Sequence, residues 1–309
     1  MIESTIVDKY KLNDLTPIEF HNGILFKRDD LYQPFKDIPL SGGKVRQAIS
    51  LIANNEKYIK EDCCGNIFQS QLMSSPQGVI MSRVIKDFGF NFTLFYGNTN
   101  PKVFSKNNLV LSAMVNGARV NYESKLAYNS VIESTIKKYK DRGLKFFRSD
   151  YSLNTEFDEE SIFYSNGNQV QNIPKDLDYL IIPCGLCISA VGVIKGLLKY
   201  NILPKKVLLI QISGYDRKSK VIDYLGKDAD SFDWKFYVSK DFPYSKEYKF
   251  TYGSIRLDSH YESKAFYFME KYLKEKLNNK KILFWIVGDS TDIRNYKVDI
   301  HKIRERNGM

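Results

Sequence analysis

Six apolar, β-rich runs separated by helical patterns constrain this chain more than any other feature of it. They are GILF at 23–26, NIF at 66–68, FTLFY at 92–96, YLII at 179–182, VLLIQI at 207–212 and ILFWIV at 282–287. Such runs alternating with helices predict parallel sheet joined by crossover helices, hence an α/β fold. One intervening segment carries Val79, Ile80, Val84 and Ile85 at helical spacing and closes on Gly89, as helices commonly do. At 309 residues the chain is longer than one hydrophobic core usually serves, so two packed lobes are expected. The stretch 147–176, with Asp150, Glu156, Asp158, Glu159, Glu160 and several asparagines, reads as a polar, irregular connection between them.

A hydrophobic fraction of 43% and a charged fraction of 27% exclude wholesale disorder. The opening MIESTIVDKYKLND carries Glu3 and Asp8 where a secretory signal needs a basic start and an apolar block, which points to a cytoplasmic protein. Residues 179–198 approach the length of a membrane span, but Pro183, Gly185 and Lys195 favour a strand, loop and helix of a buried core, so no membrane partner is expected. Cys63, Cys64, Cys184 and Cys187 are too few for a disulfide framework. Cys184 and Cys187 have the spacing of a redox or metal pair, yet with three histidines in the chain a metal site is the minor reading. The net charge of +10 suits an anionic ligand, and the Lys and Arg residues form no single block.

Four segments carry candidate chemistry. The first contains TPIEF at 16–20, FKRDDLYQP at 26–34 and SGGKVRQA at 41–48. Gly42 and Gly43 permit close backbone approach beside Lys44, and a helix start disfavours its ammonium, which promotes the nucleophilic amine. The competing reading is an exposed lysine in a flexible turn. The second, GNIFQSQLMSSPQGVIMSRVIKDFG at 65–89, places Ser75 and Gln77 around Pro76; on its own it reads as a serine cap with proline at the first helical position. The third, IIPCGLCISAVGVIKGL at 181–197, reads alone as a strand-turn-helix crossover. In the fourth, IRLDSHYESKAF at 255–266, Tyr261 and Glu262 could equally sit on a solvated helix face, and Lys264 is the more structural lysine.

Together these segments resemble the 1-aminocyclopropane-1-carboxylate deaminase and D-cysteine desulfhydrase family of pyridoxal-phosphate enzymes of fold type II, the tryptophan-synthase-β-like fold. The resemblance covers most of the chain and is strongest at 16–48 and 255–270. It implies two lobes, each a mostly parallel twisted sheet covered by helices: a larger cofactor-binding lobe of 1–48 and 156–309 and a smaller lobe of 49–155. It implies pyridoxal 5'-phosphate as cofactor, Lys44 as the Schiff-base lysine, and Ser75 and Tyr261 as residues that orient substrate or move a proton. Gln77 stands one position beyond the family's cofactor-contacting asparagine, which here is Pro76, and is the candidate replacement. Gly185 and Ser189 would hold the cofactor phosphate, Gly185 alone remaining of the usual glycine cluster and Ser189 standing at the family's threonine position. Glu262 would face the pyridine nitrogen, as in the deaminase branch. The segment 240–254 is shorter than its family counterpart, which implies a more open pocket.

The expected function is thus a pyridoxal-phosphate-dependent lyase or deaminase acting on a small amino acid, as a homodimer. Two alternatives stand beside it: an enzyme acting on an amino acid already attached to a nucleotide or DNA base, as in phage DNA hypermodification, or an inactive descendant that retains the fold.

Overall fold

The computed structural model describes residues 2–97, 101–104, 106–123, 128–149, 159–212, 214–243 and 246–298. Among them the strands run in chain order β1 Ile18–His21, β2 Ile24–Arg28, β3 Asn66–Ser70, β4 Asn91–Gly97, β5 Arg119–Glu123, β6 Phe147–Ser149, β7 Tyr179–Cys184, β8 Lys206–Gln211, β9 Trp234–Val238, β10 Phe250–Tyr252, β11 Ile255–Leu257 and β12 Ile282–Ile286. All six apolar runs read from the sequence are strands. Two compact units divide the chain: a larger one of Ser4–Gln47 with Glu159–Thr291, and a smaller one of Ala48–Asp158 with Met1–Glu3 and Asp292–Met309. The division falls inside the helix Gly43–Asn54.

The larger unit holds a six-stranded sheet of order β1-β2-β12-β7-β8-β9, parallel except for the β1–β2 hairpin. Its central strands are apolar on both faces because both faces are covered. Leu180, Ile182, Val207, Leu209, Leu283 and Trp285 point to one side, against the helix Ile188–Lys199. Ile181, Leu208, Ile210, Phe284 and Ile286 point to the other, against the helix Glu262–Phe268 and the β10–β11 hairpin. The strict period of two is what turns each uninterrupted apolar run into two cores. On the second face Phe266 packs edge-on to Phe284 at 5.3 Å and stacks with Phe26 at 6.0 Å.

The smaller unit is a parallel four-stranded sheet of order β5-β4-β3-β6. The helix Gln77–Asp87 buries Val79, Ile80, Val84 and Ile85, as their spacing predicts. Gly89 follows it at φ +76°, a left-handed stop that glycine adopts without strain. Phe68 stacks on Phe146 at 4.4 Å and meets Phe95 edge-on at 5.5 Å.

One expectation is corrected in part. The chain does pass from one unit to the other within 147–176, between Asp158 and Glu159, but its described residues are not irregular: Phe147–Ser149 is a strand, Glu159–Asn166 a helix and Gly167–Asn172 a 3-10 turn. Asn166, Asn168 and Gln169 are buried, and each carries hydrogen bonds. Asn168 donates to the Leu12 carbonyl at 2.6 Å, and Gln169 accepts from the Thr16 N–H at 2.9 Å. The polarity of these three amides serves a buried network. Residues 150–158 lie outside the described part. No helix among the described residues is long and apolar enough to cross a membrane.

Candidate active site

In an open parallel sheet, ligands sit beyond the carboxyl ends of the strands. In the larger unit, five of the seven candidate residues, Lys44, Gly185, Ser189, Tyr261 and Glu262, are on segments at or near these ends.

Lys44 opens the helix Gly43–Asn54, and that helix start is stitched to the chain after β12. The Gly43 N–H donates to the Val287 carbonyl at 3.0 Å, and the Ser41 hydroxyl donates to the Asp289 carbonyl at 3.0 Å. Gly42 lies at φ +89°, and a Cβ there would stand 2.4 Å from the Val287 oxygen and 2.6 Å from the Gly288 Cα. Only glycine permits this approach. The amine of Lys44 donates to the buried Gln47 Oε1 at 2.9 Å, one turn along the helix. Desolvation of the ammonium lowers its pKa to about 7, so much of it is neutral near physiological pH.

Gln47 is a neutral acceptor, so it directs the amine without supplying a counter-charge. Replacing Gln47 with Glu is expected to raise the pKa of Lys44 by one unit or more, since an adjacent carboxylate favours the ammonium by about that much. Competitive acylation of Lys44 as a function of pH, read by mass spectrometry, checks this. An unmoved midpoint would mean that Gln47 does not face the amine.

Glu262 is fully buried at the start of the helix Glu262–Phe268. Its Oε1 accepts from the Val287 N–H at 2.9 Å, while its Oε2 is buried with no hydrogen-bond partner among the described residues. The two polar groups of one residue, Val287, therefore hold the helix start bearing Lys44 and the carboxyl of Glu262. Burial, and then the negative charge of Asp258, pushes Glu262 well above the usual carboxylate range, against the pull of two backbone hydrogen bonds. Asp258 shapes this turn: Oδ1 accepts from the His260 and Tyr261 N–H groups at 2.8 and 3.1 Å, and Oδ2 from the N–H and hydroxyl of Ser290 at 2.9 and 2.6 Å.

An acid with a raised native pKa makes stability fall with pH. Between the ordinary value of 4.5 and the native value, the folded chain holds a proton that the unfolded chain has lost. The Glu262→Gln apoprotein is expected to lose that slope and to melt above wild type at alkaline pH. Melting curves collected across pH test it, and parallel profiles for the two proteins would refute it.

Gly185 and Ser189 flank the turn between β7 and the helix Ile188–Lys199. The Tyr261 ring covers Gly185, where a Cβ would lie 2.8 Å from the tyrosine Cε1. Cys187 caps this helix at φ +67°, a left-handed conformation unusual for a residue other than glycine, and its side chain makes no capping hydrogen bond to the first turn. Cys184 and Cys187 are buried free thiols, and burial pushes the Cys184 thiol well up. Among the described residues no group of His, Cys, Asp and Glu side chains is arranged to hold a metal ion.

Ser75 and Gln77 belong to the smaller unit. The Gln77 N–H donates to the Ser75 hydroxyl at 3.3 Å, across Pro76, which stands at the cap position just before the helix rather than in its first turn. Beside them Gln71, packed on Gly78, donates to the Tyr96 hydroxyl at 2.9 Å and accepts from Gln69 at 3.1 Å. Sequence reasoning missed Gln47, Gln71, Gln211 and Asp258. The available signal was position, since Gln71 and Gln211 are polar residues at or just beyond the carboxyl ends of apolar strands.

A buried carboxyl with one unpartnered oxygen suits a ligand N–H, and an uncapped helix start suits an anion. Together with the desolvated Lys44, whose helix start shares Val287 with Glu262, these groups fit a phosphorylated aldehyde that carries a ring nitrogen.

No protein-family model matches the chain. It is 23% identical, over 348 residues spanning 90% of this chain and 81% of the relative, to the O-seryl-dTMP PLP-dependent decarboxylase of Salmonella phage ViI. Among solved structures, an ACC deaminase homologue superposes with a TM-score of 0.69 at 17% identity, covering 93% of this chain and 95% of its own. Cysteine synthase of Entamoeba histolytica superposes with a TM-score of 0.63 at 15% identity, covering 100% and 96%. The processed threonine deaminase isoform 2 of Solanum lycopersicum gives 0.61 at 13% identity, covering 99% and 95%.

Proposed function

We propose that this chain, built on the fold of the pyridoxal-phosphate enzymes of fold type II, is a pyridoxal-phosphate-dependent lyase that works on the amino-acid part of its substrate through Lys44. The observation that carries this reading is the pairing at Val287 of a lysine-bearing helix start with a buried, half-satisfied carboxyl. Bound there, the cofactor supplies an electron sink for the pair released when a bond to the substrate Cα is broken.

The residues of this chain have separate tasks in that reading. Lys44, neutral in large part, provides the nucleophilic amine that anchors the cofactor and afterwards a base beside Cα. Glu262 Oε2 takes up the ring N–H and keeps it protonated. Ser189 and the N–H groups beyond Gly185 hold the phosphate. Tyr261, fixed over Gly185 by its packing and by Asp258, orients the reacting group or carries its proton. Motif resemblance assigns Ser75 the same class of task and Gln77 a cofactor contact. The larger unit is the cofactor-binding lobe, and the working form is a homodimer, as the family resemblance supports.

A second reading concerns the substrate. The phage relative is described as acting on an amino acid carried by a nucleotide, and the likeness spans 90% of this chain. A net charge of +10 suits such an anionic substrate. Incubation with free L-serine and with O-seryl thymidylate separates the two readings. Ammonia and an oxo acid from free serine support the deaminase-like lyase; carbon dioxide from the seryl nucleotide, with free serine untouched, supports the second. Turnover of neither, by protein that takes up the cofactor, would count against both substrate classes.

A further inference from the structure

The turn that should cradle the cofactor phosphate has lost the glycines that normally shape it, yet it is held in place. After Gly185 the chain places Leu186, Cys187 and Ile188. Cys187 adopts the left-handed conformation that a glycine would adopt without strain. The restraint comes from the neighbouring strand. Gln211, the last residue of β8 and fully buried, lies beside Cys184 in the parallel register. Its Nε2 donates to the Gly185 carbonyl at 2.6 Å, and the Cys187 thiol is 3.2 Å from its Oε1. One carboxamide thus grips both sides of Leu186. It turns the Gly185 carbonyl, which would repel a phosphate, inward to the amide, and it ties Cys187 at the head of the helix Ile188–Lys199. The first N–H groups of that helix have no intrahelical partner, and the Cys187 side chain does not cap them.

We propose that Gln211 is a positioning residue for the cofactor phosphate, and that its two contacts with Gly185 and Cys187 take over the conformational task of the missing glycines. The proposal rests on the cofactor reading above and concerns the phosphate end alone. Gln211 touches the turn and acts on the ligand through it.

The test compares pyridoxal phosphate with pyridoxal, which has the same aldehyde and ring and no phosphate. Each is titrated into wild type, Gln211→Leu and Gln211→Glu, with binding read from the absorbance of the lysine-bound form and, for the phosphate, from its 31P chemical shift. For Gln211→Leu, the phosphate-bearing ligand is expected to bind about tenfold to a hundredfold more weakly, the worth of a buried hydrogen-bonded group, while pyridoxal changes by less than about threefold. Gln211→Glu keeps the acceptor for the Cys187 thiol and replaces the donor to Gly185 with a carboxylate oxygen. It is expected to lose at least as much, again for the phosphate-bearing ligand alone, and it carries the test if the leucine variant does not fold. Equal weakening of both ligands would reduce Gln211 to a structural role and overturn the proposal. So would phosphate binding that neither variant alters. Wild type that binds both ligands equally well leaves the cofactor reading standing and removes this one, whereas wild type that binds neither removes both.

Discussion

Replacing Lys44 with alanine is expected to abolish covalent uptake of pyridoxal phosphate and to lower turnover by about a thousandfold or more. Removing the nucleophile of a covalent mechanism also removes the base it later provides, and general base catalysis alone is worth about 10²–10⁴. The helix that carries Lys44 does not depend on its amine. It is fixed by the Gly43 N–H on Val287 and by Ser41 on Asp289. The apoprotein of Lys44→Ala should therefore keep its melting temperature or gain on it below pH 10. With a native pKa of about 7 against 10.5 unfolded, the folded lysine binds fewer protons across that window, so wild type loses stability as pH falls from 10.5 toward 7, and the alanine variant has no such loss. Lys205→Ala, on an exposed ion pair with Asp178, serves as the control and should leave cofactor uptake and turnover unchanged. Retained cofactor absorbance in Lys44→Ala would place the attachment on another residue.

The second large effect is on folding. Asp29 is fully buried at the end of β2 and accepts from four side chains. The Thr16 hydroxyl lies 2.7 Å away, Arg46 Nη2 3.2 Å, the Trp285 indole N–H 3.1 Å, and the Asn166 amide completes the set. Arg46 is itself fully buried, with its guanidinium over the Tyr32 ring at 4.1 Å. Asp29→Ala leaves that cation buried without its carboxylate, a change that costs about 3–5 kcal/mol. Against a total of roughly 5–15 kcal/mol for a folded domain, the variant is expected to unfold at much lower denaturant concentration or to accumulate as insoluble protein. Chemical denaturation gives the answer, and a midpoint within error of wild type would show that the network contributes little. Lys27 belongs to the same cluster, donating to the Thr16 carbonyl and to Asn172 Oδ1 at 2.7 Å each. Burial lowers it to about 8, with Asp29 opposing that shift.

These two residues show what the sequence makes legible. The FKRDD and SGGK motifs lie in one continuous stretch, so the local signal of a helix start behind two glycines located Lys44. The same stretch hid Asp29, because two of its partners, Asn166 and Trp285, are more than 100 positions away. Strands were readable for a related reason. A strand covered on both faces is apolar at every position, which is how YLII and ILFWIV stood out, whereas the more exposed edge strands β5 and β9 carried no such signature. Glu262 illustrates the intermediate case. Its motif was visible, but the value of the residue depends on Val287 binding one oxygen and leaving the other unpartnered. The glutamines were the least legible. Gln47 acts through its hydrogen bond with Lys44 and Gln211 through its two contacts with Gly185 and Cys187, partners that only the fold sets, and amides in apolar strands or helices are commonplace.

The central claim is that Lys44 carries the cofactor. Incubating the protein with pyridoxal phosphate, reducing with borohydride and mapping the peptides tests it most directly. The account predicts one pyridoxyl-phosphate adduct, on Lys44, and none in the alanine variant. A folded protein that yields no adduct, or one whose adduct lies on another lysine such as Lys264, would contradict it.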